Sequence, residues 1–261
     1  MLCKFFRPDL CHWLAAALLL LVTGTPSAAA DSAGDASKLV VPFKAGQLMS
    51  VIVISPKAGD DAAVARNTYL QEAFGIAADY GLKPLGVLNV ADVIVGEFRP
   101  KAVAIYSWTS ADSEAAFDRN PDWQPIKETR PDGWDELRIH DRVAMGDQTL
   151  TFSTQKLYTL ATAWVDQAHP NDYETYLANI EPAVNAVGGR FFYEMVDPEF
   201  SSLGPTPLAP SRLTIVEWDG PAALAAFLDS DGFQENSALL SSGTTAFELL
   251  GLTVPPRKAQ D

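Results

Sequence analysis

Apolar positions change period in a fixed order along the first half of the chain. "LMSVIVIS" (48–55) is a short apolar run of the kind that forms a buried strand, and residues 61–80 then carry apolar side chains at helical spacing up to Gly81. "KPLGVLNV" (83–90) and "KAVAIYSW" (101–108) predict strands, residues 110–118 a short helix, and "WDELRIH" (134–140) a last strand. The same order returns in the second half. "KLYTLATAWV" is followed by a helix over 171–187 ended by Gly188-Gly189, then "RFFYEM", "SRLTIVEW", a helix over 221–228 and "TAFELLGL". Two successive β-α-β-β-α-β patterns predict an α+β fold. It consists of two ferredoxin-like units, 47–150 and 151–261, each a four-stranded antiparallel sheet with helices on one face.

The letters repeat as well as the pattern. "AAFDRNPDWQ" (115–124) lies opposite "AAFLDSDGFQ" (225–234), and over 103–124 against 213–234 six of 22 positions are identical. "YLQEAFGIAADYGL" (69–82) similarly lies over "YLANIEPAVNAVGG" (176–189), so a unit of roughly 100 residues is duplicated. A ferredoxin-like sheet leaves its second face bare, and soluble proteins rarely leave a large apolar patch uncovered. Packing the two bare faces together would enclose an intramolecular α/β-barrel, with Tyr106, Trp108, Thr214, Val216 and Trp218 expected on its inner side. Phe117 and Phe227 are expected to pin the short helices, and Trp123 and Phe233 to seal the turns behind them.

Residues 1–30 read as a signal peptide: Lys4 and Arg7, then the apolar run 13–22, then small residues with Ala28 and Ala30 at peptidase-readable positions. Cleavage is expected after Ala30, with 31–46 a flexible tether and the mature protein periplasmic or secreted, without a stable membrane span. Both cysteines, Cys3 and Cys11, fall in the leader, so disulfides and thiolate chemistry are not expected in the mature chain. The net charge of −14, with no cluster of Lys or Arg, excludes nucleic acid as a partner.

In the second unit, "DYETY", "GGRF" and "SRLTIVEWDGPAALAAFLDSDGFQ" resemble the family called domain of unknown function 1330, a branch of the dimeric α/β-barrel superfamily. The resemblance places Gly188, Gly189, Arg190, Arg212, Glu217, Asp229, Ser230, Phe233 and Gln234 on the family pattern. It implies the barrel fold and no settled chemistry. The first unit departs from the pattern, with Lys83, Ala102 and Ser107 where the second has Arg190, Arg212 and Glu217.

Candidate chemistry is sparse. No nucleophile elbow, phosphate loop or dinucleotide fingerprint occurs, and neither a cofactor nor a metal is expected. The histidines of the expected mature chain are His140 and His169, the latter read as a solvated loop residue. Arg190 and Arg212, at strand starts, can clamp a carboxylate, or pair with local acids such as Glu194 and Glu217. Glu217, in an otherwise apolar strand, is a candidate general base if it faces inward, with His140 a second candidate for moving a proton. Tyr106, Trp108, Tyr158, Trp164, Tyr193 and Trp218 either line a cavity for a planar apolar ligand or pack the core.

The preferred reading is an exported binding module whose barrel holds a small apolar or carboxylate-bearing molecule, fixed mainly by the second unit. The alternative is a cofactor-independent monooxygenase- or isomerase-like enzyme. A structural or interaction role is third.

Overall fold

The computed structural model describes residues 37–205 and 208–256. The expected leader, with Cys3, Cys11 and the cleavage point after Ala30, lies outside them. The described chain opens with a strand, β1 (Lys38–Phe43), in which Leu39, Val41 and Phe43 are buried and the residues between them exposed. The expectation of a flexible tether up to residue 46 is corrected here. Burial along "KLVVPF" alternates with period two, so one face of the strand buries Leu39, Val41 and Phe43.

The first unit follows as β2 (Leu48–Pro56), α1 (Asp60–Ala77), β3 (Lys83–Val95), β4 (Ala102–Trp108), α2 (Ala111–Asp118), two short helices α3 (Trp123–Glu128) and α4 (Arg130–Gly133), and β5 (Trp134–Val143). The second comprises β6 (Gln148–Ser153), β7 (Leu157–Val165), α5 (Asp172–Ala186), β8 (Gly189–Val196), β9 (Glu199–Leu203), β10 (Arg212–Trp218), α6 (Pro221–Leu228), α7 (Asp231–Gly243) and β11 (Thr244–Thr253). Nine strands form one antiparallel sheet in the order β8-β10-β7-β11-β3-β4-β2-β5-β9. Each unit contributes the ferredoxin-like order, β3-β4-β2-β5 and β8-β10-β7-β11.

The units are joined by strands that change partner halfway. β3 pairs with β4 through Lys83–Asn89 and with β11 from Asn89 to Val95. In the second unit the corresponding strand is broken into β8, paired with β10, and β9, paired with β5. The two outermost strands of the sheet are thus consecutive in the chain, linked by Asp197-Pro198, and the sheet closes on itself as an intramolecular dimeric α/β-barrel. β1 and β6 form a separate ladder, with Leu39 opposite Phe152 and Val41 opposite Leu150, and their apolar side chains join the same core as the barrel's inner residues.

That inner core holds Val51, Val53, Ile105, Leu160, Leu213, Ile215 and Leu252 among others. Strand alternation therefore turns Tyr106, Trp108, Thr214, Val216 and Trp218 outward, toward the helices, where Trp108 and Trp218 join the two outer cores. Their expected inward placement is corrected. Both faces of these strands are apolar, so periodicity alone does not say which face the helices cover.

The repeat is structural. Trp108, Phe117 and Trp123 stack in succession at 5.1 and 4.5 Å, and Trp218, Phe227 and Phe233 repeat the arrangement at 5.3 and 5.2 Å. The repeated glutamine has one role in both copies. Gln124 Nε2 donates to the Asp118 carbonyl, and Gln234 Nε2 to the Leu228 carbonyl at 2.8 Å, each at the end of the preceding helix. Among the described residues no helix is long and apolar enough to cross a membrane.

Candidate functional site

Two cavities lie between sheet and helices, one in each unit, both outside the barrel interior. The first, of about 340 Å³, has β2, β4 and β5 behind it and α1 and α2 in front. Ile52, Phe74, Tyr106, Trp108 and Ile139 give it apolar and aromatic walls. On its strand side the Ser50 hydroxyl donates to Asp141 Oδ1. Burial pushes the Asp141 carboxyl up to about 7, against the Ser50 hydrogen bond, with the charges of Glu114 and Glu199 adding to the rise. Burial, then the neighbouring Asp118, also raises Glu114. None of Asp141, Glu114 and Glu199 has an ion-pair partner among the described residues.

The cations at the opposite edge are engaged elsewhere. Lys127 Nζ lies 2.6 Å from Asp118 Oδ1. Arg130 Nε donates to the Tyr69 hydroxyl at 2.7 Å, and its guanidinium lies 5.3 Å from the Trp123 ring. Burial opposes ionisation of Asp118, but hydrogen bonds from Lys127 and Trp123 outweigh it, and its carboxyl lies below the usual range. Burial, then Tyr69, pushes the Tyr106 phenol up to about 12, which keeps it protonated.

The second cavity, of about 260 Å³, differs in chemistry. Tyr173, Tyr176, Phe191, Trp218, Phe227 and Phe233 dominate its lining. Strand register identifies the matching positions: Ser50 lies opposite Asp141, as Thr159 lies opposite Gly251. The spacing of the repeat puts Leu224 where the first unit has Glu114. Two of the three unpaired carboxylates of the first cavity therefore stand where the duplicated fold is content with glycine and leucine.

The residues singled out in the sequence are dispersed. Tyr106 and Trp108 line the first cavity and Trp218 the second. Arg190 forms a two-point pair with Glu217, at 2.8 and 3.2 Å, and Glu217 Oε2 also accepts from the Tyr158 hydroxyl at 3.0 Å. Burial opposes Glu217 ionisation, but Arg190 and Tyr158 outweigh it and hold the carboxyl below its usual range. The expectation of Glu217 as a general base is corrected. Arg212 lies on the opposite face of β10, paired with both Glu174 carboxylate oxygens, so it does not share a cavity with Glu217. Both arginines are committed to local acids, and the expectation that they fix a ligand's polar end is corrected with them.

His140 faces the barrel interior. Its Nδ1 lies 3.1 Å from the Val51 carbonyl, and Nε2 is buried without a hydrogen-bond partner among the described residues. Burial lowers its pKa to about 4, so it is neutral at pH 7, and Phe200 packs on its ring at 5.2 Å. Tyr158 and Tyr193 pack in and against the inner core. Trp164 is half-buried, and its indole N–H donates to the Leu208 carbonyl at 3.1 Å. Among the described residues no group of His, Cys, Asp and Glu is placed to hold a metal ion. Sequence reasoning missed Asp141 and Ser50 because they lie 91 residues apart and meet only through the β2–β5 register.

No curated protein sequence matches this chain. Among solved structures, an anthrone oxidase-like protein superposes with a TM-score of 0.53 at 11% identity, covering 83% of this chain and 94% of that one. At that identity the likeness shows the fold alone. A mutant chlorite dismutase from Candidatus Nitrospira defluvii aligns at 8% identity with a TM-score of 0.44, over 82% of this chain and 93% of its own. Residues 156–250, the second unit from just before β7 to the middle of β11, match the family described as Domain of unknown function (DUF1330), and the chain thus carries a DUF1330 domain as the second half of a duplicated barrel.

Proposed function

We propose that the protein binds a small, largely apolar molecule in the first unit's cavity between sheet and helices. The observation that carries this reading is the Asp141–Ser50 pair set into an aromatic-walled cavity, at a position where the second unit has glycine. A few polar groups converging in an apolar cavity are the usual signature of a ligand site, and about 340 Å³ falls at the small end of the roughly 300–1,000 Å³ such sites span. Native mass spectrometry of protein purified from its own source is expected to show a bound mass. Ile52→Trp, which fills the first cavity, should abolish it, and Leu224→Trp, which fills the second, should not. The opposite pattern would transfer the site to the second unit, and protein that is always empty would overturn the proposal.

One observation favours a second reading, a cofactor-independent enzyme. A carboxyl near 7 is matched to proton transfer at neutral pH, so the general base would be Asp141 rather than Glu217 or His140. We also propose export to the periplasm or medium, on the charged, apolar and small-residue order of residues 1–30. Intact-mass measurement of the exported product should place its first residue at Asp31. A chain still beginning at Met1 would overturn that.

A further inference from the structure

We propose that the first cavity selects a small organic cation, an amine carrying an aromatic or branched aliphatic body. This rests on the reading of that cavity as a ligand site and specifies what it takes.

Walls and charge are arranged for two different parts of one molecule. Phe74, Tyr106, Trp108 and Ile52 offer the surface that an aromatic or aliphatic body would cover. The Tyr106 and Trp108 rings can also receive a cation on their faces, an attraction that grows where water is excluded. Asp141, Glu114 and Glu199 line the same cavity, drawn from β5, α2 and β9. Glu199 lies directly opposite Asp141 in the β5–β9 register. The charges of Glu114 and Glu199 oppose ionisation of Asp141, and a bound cation relieves that opposition.

The pseudo-symmetric half serves as an internal control. Gly251 and Leu224 occupy the places of Asp141 and Glu114. Both cavities keep the aromatic stack of the repeat, so the acids are an addition of the first unit rather than a requirement of the fold. Among the described residues no cation that lines the cavity forms an ion pair with these carboxylates, since Lys127 is held by Asp118 and Arg130 by Tyr69, and the charge of Lys127 offsets the rise of Glu114 only in part. A carboxylate ligand, the expectation drawn from Arg190 and Arg212, would meet the wrong sign of charge.

Three probes of nearly one shape separate the outcomes: 2-phenylethylamine, 2-phenylethanol and phenylacetate, titrated calorimetrically against the full chain at pH 8. The amine is expected to bind at least tenfold more tightly than the alcohol, with phenylacetate the weakest. Glu114→Leu, which copies the second unit's residue, and Asp141→Asn should each weaken the amine far more than the alcohol and so remove most of the amine's advantage. Alcohol binding that equals or exceeds amine binding would overturn the cation inference and keep the cavity as a ligand site. Tighter phenylacetate binding would overturn it in favour of an anion held by Lys127 or Arg130. Failure of all three probes, with the same result for Ile52→Trp, would overturn both the inference and the reading it rests on.

Discussion

Asp141→Asn is expected to stabilise the folded protein by about 2–4 kcal/mol at pH 8 and by little at pH 4. The sign follows from the direction of the shift. The carboxyl stands at about 7 in the folded protein against an ordinary value of 3.8, because it is buried and has Glu114 and Glu199 as neighbours. The folded state therefore holds this proton more tightly than the unfolded chain does. Between pH 4 and 7 folding is progressively penalised, and above 7 the penalty is complete. The gap between the two values corresponds to about 4 kcal/mol at most, and water entering the cavity reduces it. Asparagine keeps an acceptor for the Ser50 hydroxyl and removes the charge. Urea unfolding of both proteins at pH 4, 6 and 8 measures the difference, which should widen with pH. A variant less stable than the parent at every pH would show that the fold depends on an ionised Asp141. Stability given up at one cavity residue, at a place where the duplicate has glycine, fits a residue kept for binding rather than for folding.

The sequence made the architecture readable because the same periods occur twice, with identical residues at corresponding points. The roles of Phe117, Phe227, Trp123 and Phe233 followed from that alignment, and all four are buried where the repeat implies. Other elements were hidden for local reasons. "DGFQENSALLSSG" is too polar and too rich in small residues to announce a helix, yet Ser230 accepts a hydrogen bond from the Phe233 N–H as N-cap and α7 runs for 13 residues. β9 is only five residues long and earns its place by completing the barrel against β5. The site was misplaced for a different reason. Strands apolar on both faces gave no indication of which face met the helices, so Tyr106 and Trp108 were assigned to the wrong side. Charged residues on strand ends drew attention to Arg190, Arg212 and Glu217, all of which are satisfied locally. Asp141 drew none, since a lone aspartate near a strand end is ordinary until the fold sets it beside Ser50 in a cavity.

The largest loss of stability is expected from Arg138→Met, by about 3–5 kcal/mol at pH 8. Arg138 projects into the barrel from β5. Its Nε donates to Glu136 Oε1 at 2.6 Å, and its Nη1 to Glu248 Oε2 at 2.6 Å. β5 and β11 are separated in the sheet by β3, β4 and β2, so the bond to Glu248 crosses the barrel interior from one unit to the other. The guanidinium also lies 3.7 Å from the centroid of the Phe98 ring. Two glycines with left-handed backbone fit closely around this group. A Cβ on Gly96 would come within 3.0 Å of the Glu248 Cγ, and one on Gly204 within 2.8 Å of the Glu136 Cγ. Removing the guanidinium takes the Arg138 charge away from two buried carboxylates, and the desolvation it offset dominates the loss. Burial already raises the Glu248 carboxyl even with Arg138 present, and without Arg138 it should rise further. Protonation then becomes the escape, so the loss should be smaller at pH 5 than at pH 8. Adding Glu136→Gln and Glu248→Gln to Arg138→Met should restore most of the stability by removing the charges that Arg138 balanced. Guanidinium unfolding of the three proteins at both pH values decides the matter. A loss below about 1 kcal/mol, or one equal at the two pH values, would mean that the cross-barrel pair does not hold the two units together through its charge.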